Sequence, residues 1–243
     1  MEYLESRLIR QIDAAAVEEI GINSLLLMEN AARGVCEVLE SRKPRRRILI
    51  ASGAGNNGGD GLAVARLLAA TGIESEVHLV RAGKALSSDA DANLGFLRRC
   101  GIPVIEADAD SLPRILTQLT ADDWIIDALL GTGIYGMLRS PFREIVEAIN
   151  QTNAQVLSVD VPSGLNADTG QPCGVAVKAD VTVTFVAKKA GFRFAHAIPY
   201  LGDVVVRQIG VPQKWISGWL ALHGNDILAA DDRLSGEIST APE

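Results

Sequence analysis

The chain has 243 residues, 48% hydrophobic and 22% charged, with a formal net charge of −7. That length and composition suit one globular domain with ample material for a core. The acidity argues against broad binding to nucleic acid or an anionic membrane. Cys36, Cys100 and Cys173 are far apart and show no CxxC or Cys/His metal spacing, which reads as reduced, structural thiols in a cytoplasmic protein. The sequence has no apolar run of about 18 residues to suggest a membrane span. MEYLESRLIRQID lacks the basic and apolar regions of a secretory signal.

The first 40 residues predict two helices. Leu8, Ile9, Ile12, Ala16, Val17 and Ile20 recur at helical spacing, and Gly21 interrupts them. Asn23 is the expected N-cap of a second helix carrying Leu26, Leu27, Ala31, Val35, Val38 and Leu39. The basic run 42–47 reads as a solvated lead-in to a strand. ILIAS is then a buried strand, GAGNNGGDG a loop, and 61–70 a helix. SEVHLV, PVIEA, WIIDALLG, QVLSVD, DVTVTFVA and DVVVRQIG read as further strands. Helices are expected at 87–99, 112–119 and 141–150, the last with Pro141 in its first turn. Strands alternating with helices predict a parallel sheet covered on both faces. The segment after Val211-Pro212 reads as a polar, irregular tail, giving a domain over 1–212 and a tail over 213–243.

GAGNNGGDG needs a closer reading. Gly53, Gly55 and Gly58 match the G-x-G-x-x-G fingerprint of a dinucleotide-binding turn, between a strand and a helix. Three features count against a conventional NAD site. Asp60 would face a pyrophosphate at the helix start. SEVHLV is followed by Arg81, where a ribose-binding acid would stand. No GK[ST] follows, which excludes a P-loop. The glycines alone could simply make a tight turn, but Asn56, Asn57 and Asp60 can offer oxygens to a hard cation or amides to a ligand. Asp127 and Asp160 end two other buried strands and precede ALLGTGIYG and VPSGLNADTG. Each aspartate alone could be a turn former. If these strands neighbour ILIAS, Asn57, Asp127, Asp160 and Ser163 converge at one sheet edge, where α/β folds bind ligands.

Together, GAGNNGGDG, DALLGTG and SVDVPSGLNADTG resemble the motifs of the NAD(P)H-hydrate epimerases, the YjeF N-terminal domain family. SLLLMENAA at 24–32, Thr184-Phe185 with Lys189 and Gly191, and Ile209-Gly210-Val211-Pro212 extend the resemblance over about residues 5 to 212. It implies an α/β fold: a Rossmann-like three-layer αβα sandwich with a mainly parallel central sheet and N-terminal helices, usually a homodimer. The implied activity is the isomerisation of R and S epimers of NADHX and NADPHX, hydrated forms of the reduced nicotinamide cofactors. A separate dehydratase would then repair the S epimer. The resemblance implies a potassium ion held by Asn57, Asp127 and Ser163. It implies substrate contacts from Asn56, Asn57, Gly58, Gly59 and Asp60. Further contacts would come from Gly131, Thr132, Gly133, Ile134, Tyr135, Gly136 and Met137, and from Asp160. Ala54 and Lys188 depart from the family pattern, where proline is frequent at both positions. The loop GTGIYGMLRS, which carries Tyr135 and Met137, varies in the family. The stretch 225–232 faintly resembles an inter-domain segment of fusions that carry both activities, and the chain is too short to hold the second enzyme.

The reacting carbon of such a substrate is a carbinolamine. Its ring nitrogen can help expel hydroxide to give an iminium-like cation, to which water returns on the other face. Ring opening and reclosure is a second route. Both need a group that protonates one oxygen and deprotonates another, and both gain from a nearby carboxylate. Asp160 is the expected catalytic group. Lys189 either orients it, binds a phosphate, or is a surface lysine. His78, His196 and His223 lack metal-ligand spacing. Glu29 and Asn30 read as supporting, dimer-interface or solvated residues. The competing function is a nucleotide- or ADP-ribose-binding scaffold. An NAD-dependent dehydrogenase is disfavoured by Asp60 and the missing ribose acid.

Overall fold

The computed structural model describes residues 3–224. A short strand β1 (Tyr3–Leu4) leads into helix α1 (Ser6–Ala15), which continues as a π-helical turn, Ala16–Ile20. Gly21, at φ +79°, ends that turn in the left-handed region. Asn23 caps α2 (Ser24–Ser41) by accepting from the Leu25 amide at 2.9 Å. There follow β2 (Ile48–Gly53), α3 (Asn56–Ala70), β3 (Glu76–Val80), α4 (Ser88–Arg99), β4 (Val104–Glu106), α5 (Ser111–Leu116), β5 (Trp124–Ala128), α6 (Phe142–Ile149), β6 (Gln155–Val159) and β7 (Val181–Phe185). The two-residue strand β8 (Lys188–Lys189), α7 (Ile198–Leu201) and β9 (Asp203–Arg207) come next. Residues 213–224 form a further helix, α8.

Seven strands form one sheet in the order β4-β3-β2-β5-β6-β7-β9, with every neighbouring pair parallel. The side-chain period of two explains how the sheet holds helices on both faces. Ile48, Ile50, Ile126 and Leu157 pack with residues of α1 to α4. The intervening Leu49, Ala51, Ile125 and Val156 pack with Leu112 and Leu116 of α5 and Ile145 and Ile149 of α6. β1 pairs separately with β8, and so ties the N-terminus to the segment carrying Lys189.

Two expectations change. Helix α3 begins at Asn56, not at residue 61, with Gly55 as its N-cap. The segment NNGGD therefore opens the helix, with Asp60 starting its second turn, and the expected loop shrinks to two residues. Glycine and asparagine look like a loop in sequence, but close packing here requires glycine inside the helix. Residues 213–224 are likewise helical rather than irregular. Ile216 and Trp219 join the main core, and Trp219 Nε1 donates to Glu19 on the N-terminal segment at 3.1 Å. The stretch 225–232 lies outside the described residues.

The basic run is structural: Arg42 pairs with Asp203, Arg47 with Glu76 at 2.8 Å, and Arg46 donates to Thr120 at 3.4 Å. Glu29 pairs with Arg66, and Asn30 Nδ2 donates to the Ile209 carbonyl at 2.9 Å, so both brace α2 against its neighbours. Among the described residues no helix is long and apolar enough to cross a membrane.

Candidate active site

Strand order reverses between β2 and β5, and the crevice at their C-terminal ends opens a cavity of about 910 Å3. This is where an open α/β sheet binds ligands. The three glycines of the fingerprint have separate jobs. A Cβ on Gly53 would meet the Leu129 carbonyl oxygen at 1.9 Å, and one on Gly58 would meet the Gly53 carbonyl oxygen at 1.9 Å. These two let α3 and the end of β5 close onto β2. Gly55 has open space around its missing side chain and lines the cavity. The unpaired amides of the first turn of α3 start there, available to an anion. Asp60 sits in the next turn rather than at the helix start, so the objection it raised to a phosphate at this helix end falls away.

Asp160 follows β6 with φ +65°, and Val186 follows β7 with φ +68°. Each is the centre of a three-residue turn, closed by Val161 N to Val159 O and by Ala187 N to Phe185 O, both at 2.8 Å. Such turns are rare and strained, and a β-branched valine makes the second one more so. Together they bring Lys189 against Asp160. The Lys189 ammonium lies 2.5 Å from Asp160 Oδ1, in a side chain with no exposure at all, and reaches the Phe185 carbonyl at 3.4 Å. Thr184 Oγ1 donates to the same carboxylate at 3.3 Å. Lys189 is thus a buried partner of Asp160, not a surface lysine. Asp160 faces the cavity.

Two further carboxyl groups face this pair. Asp60 comes from α3, and Asp13 comes from α1. Burial pushes Asp60 well above the usual carboxylate range; Asp160, Asp13 and Asp89 add to the effect and Lys189 opposes it. Burial raises Asp13 to about 7, against the pull of Lys189 and with help from Asp160. Asp13 Oδ1 is buried without a hydrogen-bond partner. Sequence reading missed Asp13, although Ile9 and Asp13 are one helical turn apart and both line the cavity. Arg10, also missed, donates to Thr132 Oγ1 at 3.3 Å across the mouth.

Below the cavity floor, Asp127 is fully buried and accepts from Ser158 Oγ at 2.8 Å, Ser163 N at 2.8 Å and Ser163 Oγ at 2.5 Å. Burial raises its pKa, and the Ser163 and Ser158 hydrogen bonds partly offset that. Asn57 Nδ2 donates to the Leu130 carbonyl at 3.0 Å, while its buried Oδ1 has no partner. Asn57, Asp127 and Ser163, expected to share one site, are joined through the Leu129-Leu130 backbone.

The other expected residues divide. Asn56, Asn57, Asp60, Gly131, Thr132, Gly133, Ile134 and Asp160 line the cavity. Gly58 and Gly59 pack inward instead, Gly59 against Met28. Tyr135, Gly136 and Met137 stand outside the cavity lining, with Tyr135 70% and Met137 72% exposed. His78 is buried in β3, and His196 Nε2 bonds the Thr169 carbonyl at 2.8 Å. Among the described residues no three His, Cys, Asp or Glu side chains are grouped to hold a metal ion.

The profile of the YjeF-related protein N-terminus matches residues 24–191. The chain belongs to this family. It is 41% identical over 210 residues to the NAD(P)H-hydrate epimerase of Pirellula staleyi, covering 86% of this chain and 92% of that one. Against the NAD(P)H-hydrate epimerase of Rhodopirellula baltica it is 39% identical, covering 84% and 82%. The bifunctional NAD(P)H-hydrate repair enzyme of Archaeoglobus fulgidus is 40% identical over 215 residues, and this chain spans 43% of it. A crystal structure of the yeast protein ynu0 superposes with a TM-score of 0.69 at 26% identity, covering 79% of this chain and 83% of that one. The Rossmann-like reading of the fold therefore stands, with every strand pair in the main sheet parallel.

Proposed function

We propose that the protein is an NAD(P)H-hydrate epimerase, an isomerase that interconverts the R and S epimers of NADHX and NADPHX. The observation that carries this reading is the Asp160–Lys189 pair, held by two strained turns at the wall of a nucleotide-sized cavity. The names of the relatives at about 40% identity support it. The glycine-lined start of α3 suits the substrate's pyrophosphate. Asp160 stabilises the positive charge that develops on the ring nitrogen as hydroxide departs. Lys189, behind it, pairs with the carboxylate at 2.5 Å and fixes its direction.

A potassium ion fits the floor of the site. Asn57 Oδ1 is a buried acceptor in need of a partner, and the Leu130 carbonyl, Asp127 carboxylate and Ser163 hydroxyl are oxygen donors beside it. Oxygen-only donors suit a hard cation. When bound, the ion would supply positive charge near the substrate phosphates and order the loop from Gly131 to Ile134. Two copies of the chain are expected to associate through the N-terminal helices, where Ile20 and Leu26 are exposed. A separate NAD(P)HX dehydratase would consume the S epimer, and the bifunctional relatives join a repair partner to this domain in one chain.

The test is the R-to-S interconversion of NADHX, followed by chromatography or proton NMR with and without potassium. The parent should exceed the spontaneous rate, and potassium should increase it. Asp160→Asn should abolish the excess. A parent that binds the compound but leaves the spontaneous rate unchanged would make the domain a binding scaffold instead.

A further inference from the structure

We infer that Asp13, on the N-terminal helix α1, is a second catalytic residue that exchanges a proton with the substrate's hydroxyl on the ring face opposite Asp160. This inference rests on the epimerase reading and adds to it a residue outside the matched family motifs, which begin at residue 24.

The geometry supports it in three ways. Asp13 lines the same cavity as Asp160, and the two carboxyl groups are close enough to interact electrostatically. Its Oδ1 is buried with no hydrogen-bond partner, an acceptor that the protein itself does not satisfy. The helix carrying it is held firmly: Ser6 N and Ser6 Oγ both donate to Asp168 at 2.6 Å, and the π-helical turn begins three residues after Asp13. Insertions of this kind re-aim helical side chains and recur at functional sites.

The chemistry asks for two groups. An iminium is planar, so inversion at its carbon requires oxygen to leave from one face and to return at the other. The acid on the leaving face gives its proton to the hydroxyl oxygen as the C–O bond breaks. The C–O electron pair departs with the water, and the nitrogen lone pair forms the C=N bond. On the opposite face, a second water attacks the carbon, the C=N pair returns to nitrogen, and the water's proton passes to the base. One carboxyl must therefore start protonated and the other ionised, as in enzymes that invert an acetal carbon. Asp160, held against the Lys189 ammonium at 2.5 Å, is placed as the base. Asp13 is the protonated one, raised to about 7 mainly by burial. The reverse reaction exchanges the roles. The other charged groups facing Asp13 are Asp60 from α3, Lys189 from β8 and Arg10 from its own helix, with Asp89 of α4 further along the cavity.

The experiment compares the parent, Asp13→Asn and Asp13→Glu in the full chain, with the spontaneous rate subtracted at each pH. The parent's kcat/KM should fall as pH rises through about 7, because the acid is then ionised. Asp13→Asn should lower kcat by about 100-fold or more with KM for NADHX changed less than about threefold, and the limb above neutrality should disappear. Asp13→Glu should recover part of kcat. Epimerisation in H2-18O should place one labelled oxygen in the product per inversion. The native state holds the Asp13 proton more tightly than the unfolded chain, so this group costs stability as pH rises from about 4 to 7. Asp13→Asn should accordingly melt higher than the parent at pH 8. A parent-like kcat and pH profile in Asp13→Asn would overturn the role of Asp13 and leave the epimerase reading intact. Inversion without label uptake would replace water exchange with ring opening and would overturn the two-face scheme. A parent with no activity would remove the reaction on which the inference rests.

Discussion

Asp160 and Lys189 form an asymmetric pair, and the asymmetry is measurable. The lysine side chain has no exposure, whereas Asp160 is 18% exposed to the cavity. Removing the carboxylate strands an ammonium in the core; removing the ammonium leaves a carboxylate that cavity water can still solvate. A buried charge without its partner costs about 3–5 kcal/mol. Asp160→Ala should approach that cost, and Lys189→Met should cost about half of it or less. Urea denaturation of the two variants gives the comparison directly, and equal or reversed losses would show that the pair is not buried from one side only. The sequence could place Asp160 at a strand end, because a polar residue closing an apolar run is visible in the chain. It could not show that Lys189 is buried. Burial of a lysine depends on two backbone turns with positive φ at non-glycine residues, and no local pattern signals those.

At the scale of elements, the strands are legible because a doubly covered parallel sheet writes itself as short apolar runs: ILIAS lies within β2, while WIIDALLG and DVTVTFVA contain β5 and β7 and overrun their ends. The start of α3 was misread because Gly58 and Gly59 lie inside the helix for packing reasons that only the fold reveals. Helix α1 was read correctly as an amphipathic helix, and that reading hid Asp13. A polar residue flanking an apolar stripe ordinarily faces solvent; here α1 lies over the cavity, so the flank is enclosed. The anchoring of α1 is also non-local. Glu5, its N-cap residue, makes no capping bond with its side chain, and the carboxylate of Asp168, 162 residues away, satisfies Ser6 instead. The NADTG stretch, which sequence reading placed beside the catalytic motif, thus serves to hold α1. Asp168→Ala should cost about 1–2 kcal/mol, the scale of a lost N-cap, and should speed hydrogen exchange across 6–15. Catalysis should weaken with it, since Asp13 rides on this helix. Unchanged exchange in α1 would mean that the β1–β8 pairing alone holds the segment.

Across the whole molecule, α8 meets the π-helical turn between α1 and α2, the two helices that wall one flank of the cavity. α8 reaches Glu19 through Trp219, and α1, the π-helical turn and α2 present Val17, Ile20 and Leu26 at 38%, 40% and 51% exposure. Isolated exposed apolar residues are ordinary, but three on adjacent turns beside a binding cleft form a surface that a second subunit can cover. Val17 also lines the cavity, together with Ser24 and Leu27. A two-fold contact here would bury the outer side of the helix pair and narrow the cavity mouth. Dimerisation and substrate affinity are therefore expected to be coupled. Sedimentation velocity should find the parent as a dimer at micromolar concentration, and Ile20→Asp with Leu26→Asp should give a folded monomer. Because Asp13, Asp160 and Lys189 are all held within one protomer, the first through the Ser6–Asp168 anchor of α1 and the other two by the strained turns, the monomer should retain catalytic turnover while its KM for NADHX rises. A parent that sediments as a monomer would exclude this surface as a subunit interface. A charged double variant that stays dimeric with an unchanged KM would place the interface on another face.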